Sequence, residues 1–160
     1  MPTIEENLSR LGIELPDTPP AQGNYVPAAI IGDMVHISGQ LPTGSNGLPK
    51  RFAGEVGKVV DLPDAQAAAR QCAIAILSQL NAVLGGRLDR VTRCVRLGGF
   101  VQAGAGFSQH PAVINGASDL MVDVLGEAGR HVRCTVGVAS LPLDACVEIE
   151  ASFQIEKDTA

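Results

Sequence analysis

The stretch that decides the fold is residues 145–156, ACVEIEASFQIE, in which Val147, Ile149, Ala151 and Phe153 alternate with Glu148, Glu150, Ser152 and Gln154. A period of two over eight residues is the pattern of a β-strand with one face in a core and the other wet or functional. Just before it, residues 132–142 (VRCTVGVASLP) also alternate, and the two segments are separated by Leu-Pro-Leu-Asp. The chain therefore ends on two strands.

Working back, residues 107–126 (FSQHPAVINGASDLMVDVLG) carry Val113, Ala117, Leu120 and Val124 on one helical stripe, with Ser108 as a cap and Gly126 or Gly129 as the stop. Residues 88–103 (LDRVTRCVRLGGFVQA) set Val91, Cys94, Val95 and Leu97 among Thr and Arg, a partly alternating strand that closes in a Gly-rich turn. Before that strand lies the strongest helical pattern in the chain. It is opened by Asp61 or Asp64 as cap, returns Ala67, Ala68, Cys72, Ile76, Leu80 and Val83 at helical intervals, and stops at Gly85-Gly86.

Residues 25–42 (YVPAAIIGDMVHISGQLP) place apolar and β-branched residues on both sides of a Gly-Asp turn and read as a β-hairpin. The loop PTGSNGLPKRF follows, and VGKVV at 56–60 is an expected third strand. At the N-terminus, Ile4, Leu8 and Leu11 sit at helical spacing behind Thr3, with Glu6 three residues on, a capping-box pattern. The order β-β-(β)-α-β-α-β-β shows no internal repeat and no linker, so 1–160 is expected to be a single domain. Its fold class is α+β, with two helices packed on one face of a mixed β-sheet.

Composition narrows the function. With 46% hydrophobic residues but only 3% aromatics and no Trp, the core must be built from small aliphatic side chains, some of it expected between subunits. A net charge of −5 and scattered basic residues argue against a nucleic-acid partner, whose backbone is held by clustered Lys and Arg. Glu5, Glu6 and Arg10 interrupt the run a signal peptide would need, and no stretch reaches the roughly 18 apolar residues of a membrane span. No membrane partner and a cytoplasmic location are the expectation. Cys72, Cys94, Cys134 and Cys146 form no CxxC pair and read as buried thiols, while His36, His110 and His131 share no metal-like spacing and read as structural.

Taken together, YVPAAIIGDMVHISGQLP, Asn115 within PAVINGASDL, VRCTVGVASLP and CVEIEASF, in this order and spacing, resemble the Rid/YjgF family of reactive-intermediate deaminase-like proteins with a chorismate-mutase-like fold. The resemblance spans residues 23–156, and residues 1–22 look like an N-terminal extension that a minimal member lacks. It implies a homotrimer whose three sheets form a central barrel, with a cleft at each subunit interface for a small carboxylate. It further implies hydrolysis of 2-imino acids or 2-enamines to 2-oxo acids and ammonia, with no metal and no organic cofactor. By resemblance, Arg133 falls on the carboxylate-binding arginine and Glu148 on the acidic residue that positions water. Tyr25, Ser38, Gly39, Asn115 and Thr135 fall on further cleft positions.

Read as residues alone, each assignment has a plainer counterpart. Arg133 matches a carboxylate bidentately, but a strand-end Arg also serves in a surface ion pair. Glu148 gains acid-base character if held near apolar surface, or with Glu150 it simply keeps a strand edge solvated. Tyr25 touches a ligand or closes a loop. Asn115, a mediocre helix former, bonds a ligand or neighbouring backbone. Gly39 allows close approach to a ligand or makes a tight turn.

The chain also departs from the archetype. Thr135 stands where the archetype has its cysteine and Gly137 where an acidic residue is common, which marks a divergent branch. A non-catalytic regulatory trimer that binds a small carboxylate is the alternative reading.

Overall fold

Asp61 accepts a hydrogen bond from the Asp64 amide at 2.9 Å and starts the long helix Leu62–Val83. Such a cap contributes about 1 kcal/mol. In the computed structural model, which describes residues 2–18, 20, 21 and 23–157, this helix is α2. Positions 1, 19 and 22 of the expected extension, and 158–160 at the end of the expected domain, lie outside the described residues.

The other elements are α1 (Ile4–Arg10), β1 (Ala28–Ile31), β2 (Met34–Gln40), β3 (Val91–Gln102), α3 (His110–Leu125), β4 (Val132–Val138) and β5 (Val147–Ile155). They form an α+β fold with a five-stranded mixed sheet ordered β1-β2-β5-β3-β4. Every neighbouring pair is antiparallel except β3 with β4. The parallel pair follows from its crossover, since β3 returns to β4 through α3.

Helices α2 and α3 cover one face. Ile76, Leu77 and Leu80 of α2 and Ile114, Leu120 and Met121 of α3 are fully buried against Leu97 and Val101 of β3 and Ile149 and Phe153 of β5. Each such side chain contributes about 1.5–3 kcal/mol by leaving water. Gly99 lets α3 approach closely, because a Cβ there would meet Ile114 at 2.6 Å. The alternation read in β5 holds residue by residue: Val147, Ile149, Ala151, Phe153 and Ile155 are buried.

The capping box at α1 forms in both directions, Glu6 N–H to Thr3 Oγ1 at 3.1 Å and Thr3 N–H to Glu6 Oε2 at 2.8 Å. The helix docks on α3 through buried Asn7, whose Nδ2 donates to the Val124 carbonyl at 3.0 Å.

Three expectations are corrected. Residues 56–60 make no strand. The amides of Lys58, Val59 and Val60 all turn onto the Glu55 carbonyl, and Gly57 at φ 85° tightens the bend, so only isolated bridges remain. The cap position of α3 is Gln109, without a side-chain bond, rather than Ser108. Cys72, Cys94 and Cys146 are buried, but Cys134 is exposed because β4 is an edge strand and Cys134 points to the sheet face without helices.

Candidate functional site

Pairing across β3 decides where the candidate residues point. Leu97, Gly99 and Val101 of β3 face the helices, and their β4 partners are Arg133, Thr135 and Gly137. Those three therefore face α3 as well. Phe100 pairs with Glu148 of β5 on one side and with Val136 of β4 on the other, which puts Glu148 on the open face. Arg133 and Glu148 thus lie on opposite faces, about 10 Å apart across the strands and about 10 Å along them.

Along the β4 edge, Arg133 is exposed and pairs with no carboxylate among the described residues. This removes the surface ion pair as its explanation. Its Nη1 instead donates to Ser118 Oγ on α3 at 3.0 Å. Ser118 Oγ lies 3.0 Å from His131 Nε2, and His131 Nδ1 lies 2.6 Å from the Gly129 carbonyl. A carbonyl only accepts, so Nδ1 carries the proton, Nε2 accepts from the Ser118 hydroxyl, and the hydroxyl oxygen is left to receive Arg133. Burial pushes the His131 pKa down and the Arg133 charge adds to this, against the opposing Gly129 bond. The lowered pKa favours the neutral ring that this chain of bonds uses.

Ser118 was not singled out in the sequence, and His131 was read there as structural. The signals were available: His131 is two residues before Arg133 on the same strand side, and Ser118 is one helical turn after Asn115. Asn115 is exposed on the same side of α3, and Thr135 is half-buried two residues beyond Arg133. Gly137 lies under His110, since a Cβ there would come 2.6 Å from the imidazole Nε2. The space a side chain would take at that position is filled by a ring from α3.

A second group gathers where β2 meets β5. The ladder between them is irregular between Ile37 and Gln40, and Ser38 and Gly39 occupy the break. Ser38 Oγ donates to the Val26 carbonyl at 2.8 Å and its amide to the Pro27 carbonyl at 2.9 Å, which ties down the bend carrying the exposed Tyr25. Gly39 leaves room for Glu148, because a Cβ there would overlap the carboxylate and stand 2.9 Å from its carboxyl carbon. Burial raises the Glu148 pKa, and Glu150 two residues on raises it further. Glu150 itself is held by Arg96 at 2.8 Å. Its raised pKa gives Glu148 proton-transfer character.

One chain brings Arg133, Thr135 and Asn115 together, and separately Tyr25, Ser38, Gly39 and Glu148, but does not join the groups. A wide hollow of about 640 Å³ between residues 55–58 and 104–107 touches neither. No helix among the described residues is long and apolar enough to cross a membrane.

A family model described as "YjgF/chorismate_mutase-like, putative endoribonuclease" matches residues 5–151. Protein TCP17 of Trypanosoma cruzi is 44% identical over 153 residues, covering 95% of this chain and 94% of its own. The crystal structure of Atu1372 from Agrobacterium tumefaciens superposes with a TM-score of 0.89 at 46% identity, covering 96% of this chain and 92% of its own. Escherichia coli TdcF with bound serine superposes with a TM-score of 0.62 at 25% identity, over 87% of this chain and 94% of its own.

Proposed function

The chain belongs to the YjgF/chorismate mutase-like family, and on that premise we propose that it hydrolyses small 2-imino acids or 2-enamines to 2-oxo acids and ammonia in a cleft between subunits of a homotrimer. The observation that carries this reading is the separation of its two halves. Among the described residues, Arg133 is a cation with no carboxylate partner, and Glu148 is a carboxylate with a raised pKa and no cation paired to it. Each has what the other lacks, and only a second copy can bring them together.

The open face of the sheet supports assembly. Both edges of that face leave apolar side chains to water, Ile31 of β1 at 66% exposure and Val132 of β4 at 68%, with Val136 further along β4. Three such faces closing on one another would form the barrel that the family resemblance implies.

In the proposed cleft, Arg133 holds the substrate carboxylate through two parallel N–H donors, contributing about 1.5–3 kcal/mol each. Ser118 and His131 keep the guanidinium in place, Asn115 and Thr135 flank it, and the partner subunit supplies the end of β2. Glu148 takes a proton from water as the oxygen adds to the imine carbon and passes it to nitrogen, giving the carbinolamine; it then takes the hydroxyl proton and delivers it to nitrogen as the C–N bond breaks, leaving the 2-oxo acid and ammonia. The proton balance closes on one carboxyl group, with neither metal nor organic cofactor. A raised pKa suits a group that must both accept and donate near neutrality.

The alternative is a trimer that binds a small carboxylate without turnover. It is favoured by the segment after Arg133, where Thr135 replaces the expected cysteine and His110 occupies the space above Gly137. TdcF, a relative recorded with serine, fits both readings, since serine carries the same carboxylate. Coupling the purified protein to an amino-acid oxidase decides between them. Faster 2-oxo acid release that vanishes in Arg133→Ala supports hydrolysis, while ligand-dependent thermal stabilisation without acceleration supports the binding trimer.

A further inference from the structure

The hydrogen-bonded chain at the β4 edge holds more than a cation requires. A hydroxyl oxygen alone suffices to accept an N–H from Arg133, and it needs no base behind it. Yet Ser118 Oγ lies 3.0 Å from His131 Nε2, and His131 Nδ1 lies 2.6 Å from the Gly129 carbonyl, which turns the basic nitrogen of the ring onto the hydroxyl. A hydroxyl bonded to an imidazole that is itself oriented by an acceptor is the arrangement that activates a nucleophile, on whatever fold it occurs. Burial, aided by the Arg133 charge and opposed by the Gly129 bond, lowers the His131 pKa, so the ring is neutral and ready to take a proton at neutral pH. Arg133 completes the group. Its Nη1 is 3.0 Å from Ser118 Oγ, so a positive charge stands beside the oxygen at which an acyl group would be joined. Ser118 is only half-buried, with exposed Asn115 and Arg133 on either side, which leaves the group open to a small molecule.

We propose that Ser118 is a nucleophile with His131 as its general base, and that this edge of the protein cleaves small carboxylic esters by acyl transfer. The site shares Arg133 with the carboxylate cleft but does not rest on imine hydrolysis. Ser118 Oγ adds to the ester carbonyl carbon as its proton passes to His131 Nε2, and Arg133 Nη1 turns from Oγ to the carbonyl oxygen that gains negative charge. The C–O bond to the alcohol then breaks, and His131 returns the proton to the departing oxygen. Water next adds to the acyl-serine carbonyl and gives a proton to His131, which hands it to Oγ as the acid leaves. Arg133 Nη1 is the donor seen at Oγ among the described residues, which suits an alcohol leaving group, easier to expel than an amine.

The test treats the full chain with methanesulfonyl fluoride and follows its cleavage of p-nitrophenyl acetate. The sulfonyl group should attach to Ser118, located by peptide mass spectrometry, and ester cleavage should fall in proportion to that labelling. Labelling of the unaltered protein needs no variant, so it decides the matter even where a substitution disturbs folding. Cys134, the exposed thiol on the same strand, is the competing nucleophile, and Cys134→Ala should keep both reactions. His131→Gln, which retains the Ser118 hydroxyl and a hydrogen-bonding side chain but no base, should slow both by about 100-fold. No label on Ser118, loss of ester cleavage in Cys134→Ala, or His131→Gln as reactive as the parent would each overturn the proposal.

Discussion

The edge of β4 and the end of β2 are built in opposite ways. At β4 a permanently charged side chain is fixed by a directed chain of hydrogen bonds, Arg133 to Ser118 to His131 to Gly129, and presented to solvent. At β2 the key group is a half-buried carboxylate whose pKa is raised by burial and by Glu150, given room by a glycine rather than gripped by a donor. One region is preorganised for holding and the other for moving a proton. A single chain keeps them on opposite faces of the sheet, so neither is a complete site.

The largest expected effect is at the holding end. Arg133→Ala should lower kcat/KM by about 10³-fold through loss of two charge-assisted bonds, without change in Tm, because among the described residues the guanidinium has no carboxylate partner to leave behind. A large fall in Tm would mean that Arg133 is a structural residue after all. Next comes Glu148→Gln, expected to lower kcat by about 10²-fold with KM retained. The sign of its stability effect follows from the raised pKa. A carboxyl that holds its proton more tightly when folded contributes stability at low pH and loses it as pH rises through the folded pKa. Glu148→Gln should therefore be at least as stable as the parent at neutral pH, checked by thermal melts across pH.

Gly39→Ala tests the link between the β2 break and Glu148. Its methyl group must push the carboxylate aside, with an expected loss of about tenfold in kcat and little change in stability, since only the end of a flexible side chain has to move. The smallest effect is at Ser118. Ser118→Ala should raise KM about fivefold by freeing the guanidinium, with kcat unchanged.

His131 adds a pH signature. Its folded pKa is lowered, so the unfolded chain takes up the proton first and stability falls as pH drops below 6.5 toward the lowered folded value. In His131→Gln that acid-side slope should flatten, as followed by Tm against pH.

The architecture was legible because its signals are local. Period two in β5, the Asp61 cap and Gly85-Gly86 stop of α2, and the Thr3–Glu6 box each depend on neighbours in sequence. Residues 56–60 were misread because β-branched residues suggest a strand, whereas Gly57 and the Glu55 carbonyl gather three amides into a turn. Cys134 was misread because a thiol's burial depends on strand order, which composition does not reveal. At the site, Arg133 and Glu148 could be named but their opposite orientation could not. It arises from the registry of β4 and β5 on β3, a contact between segments far apart in the chain. Ser118 carries no motif at all and emerges only from what surrounds it.

The central claim is that one working site takes Arg133 from one subunit and Glu148 from another. Arg133→Ala and Glu148→Gln subunits, each inactive alone, are unfolded together in equal amounts, refolded and assayed for imine hydrolysis. In a ring of three, each interface draws one subunit with an intact Arg133 and one with an intact Glu148 about one time in four, so recovery of about one quarter of wild-type activity is expected. Activity no higher than that of the two parents would contradict the account.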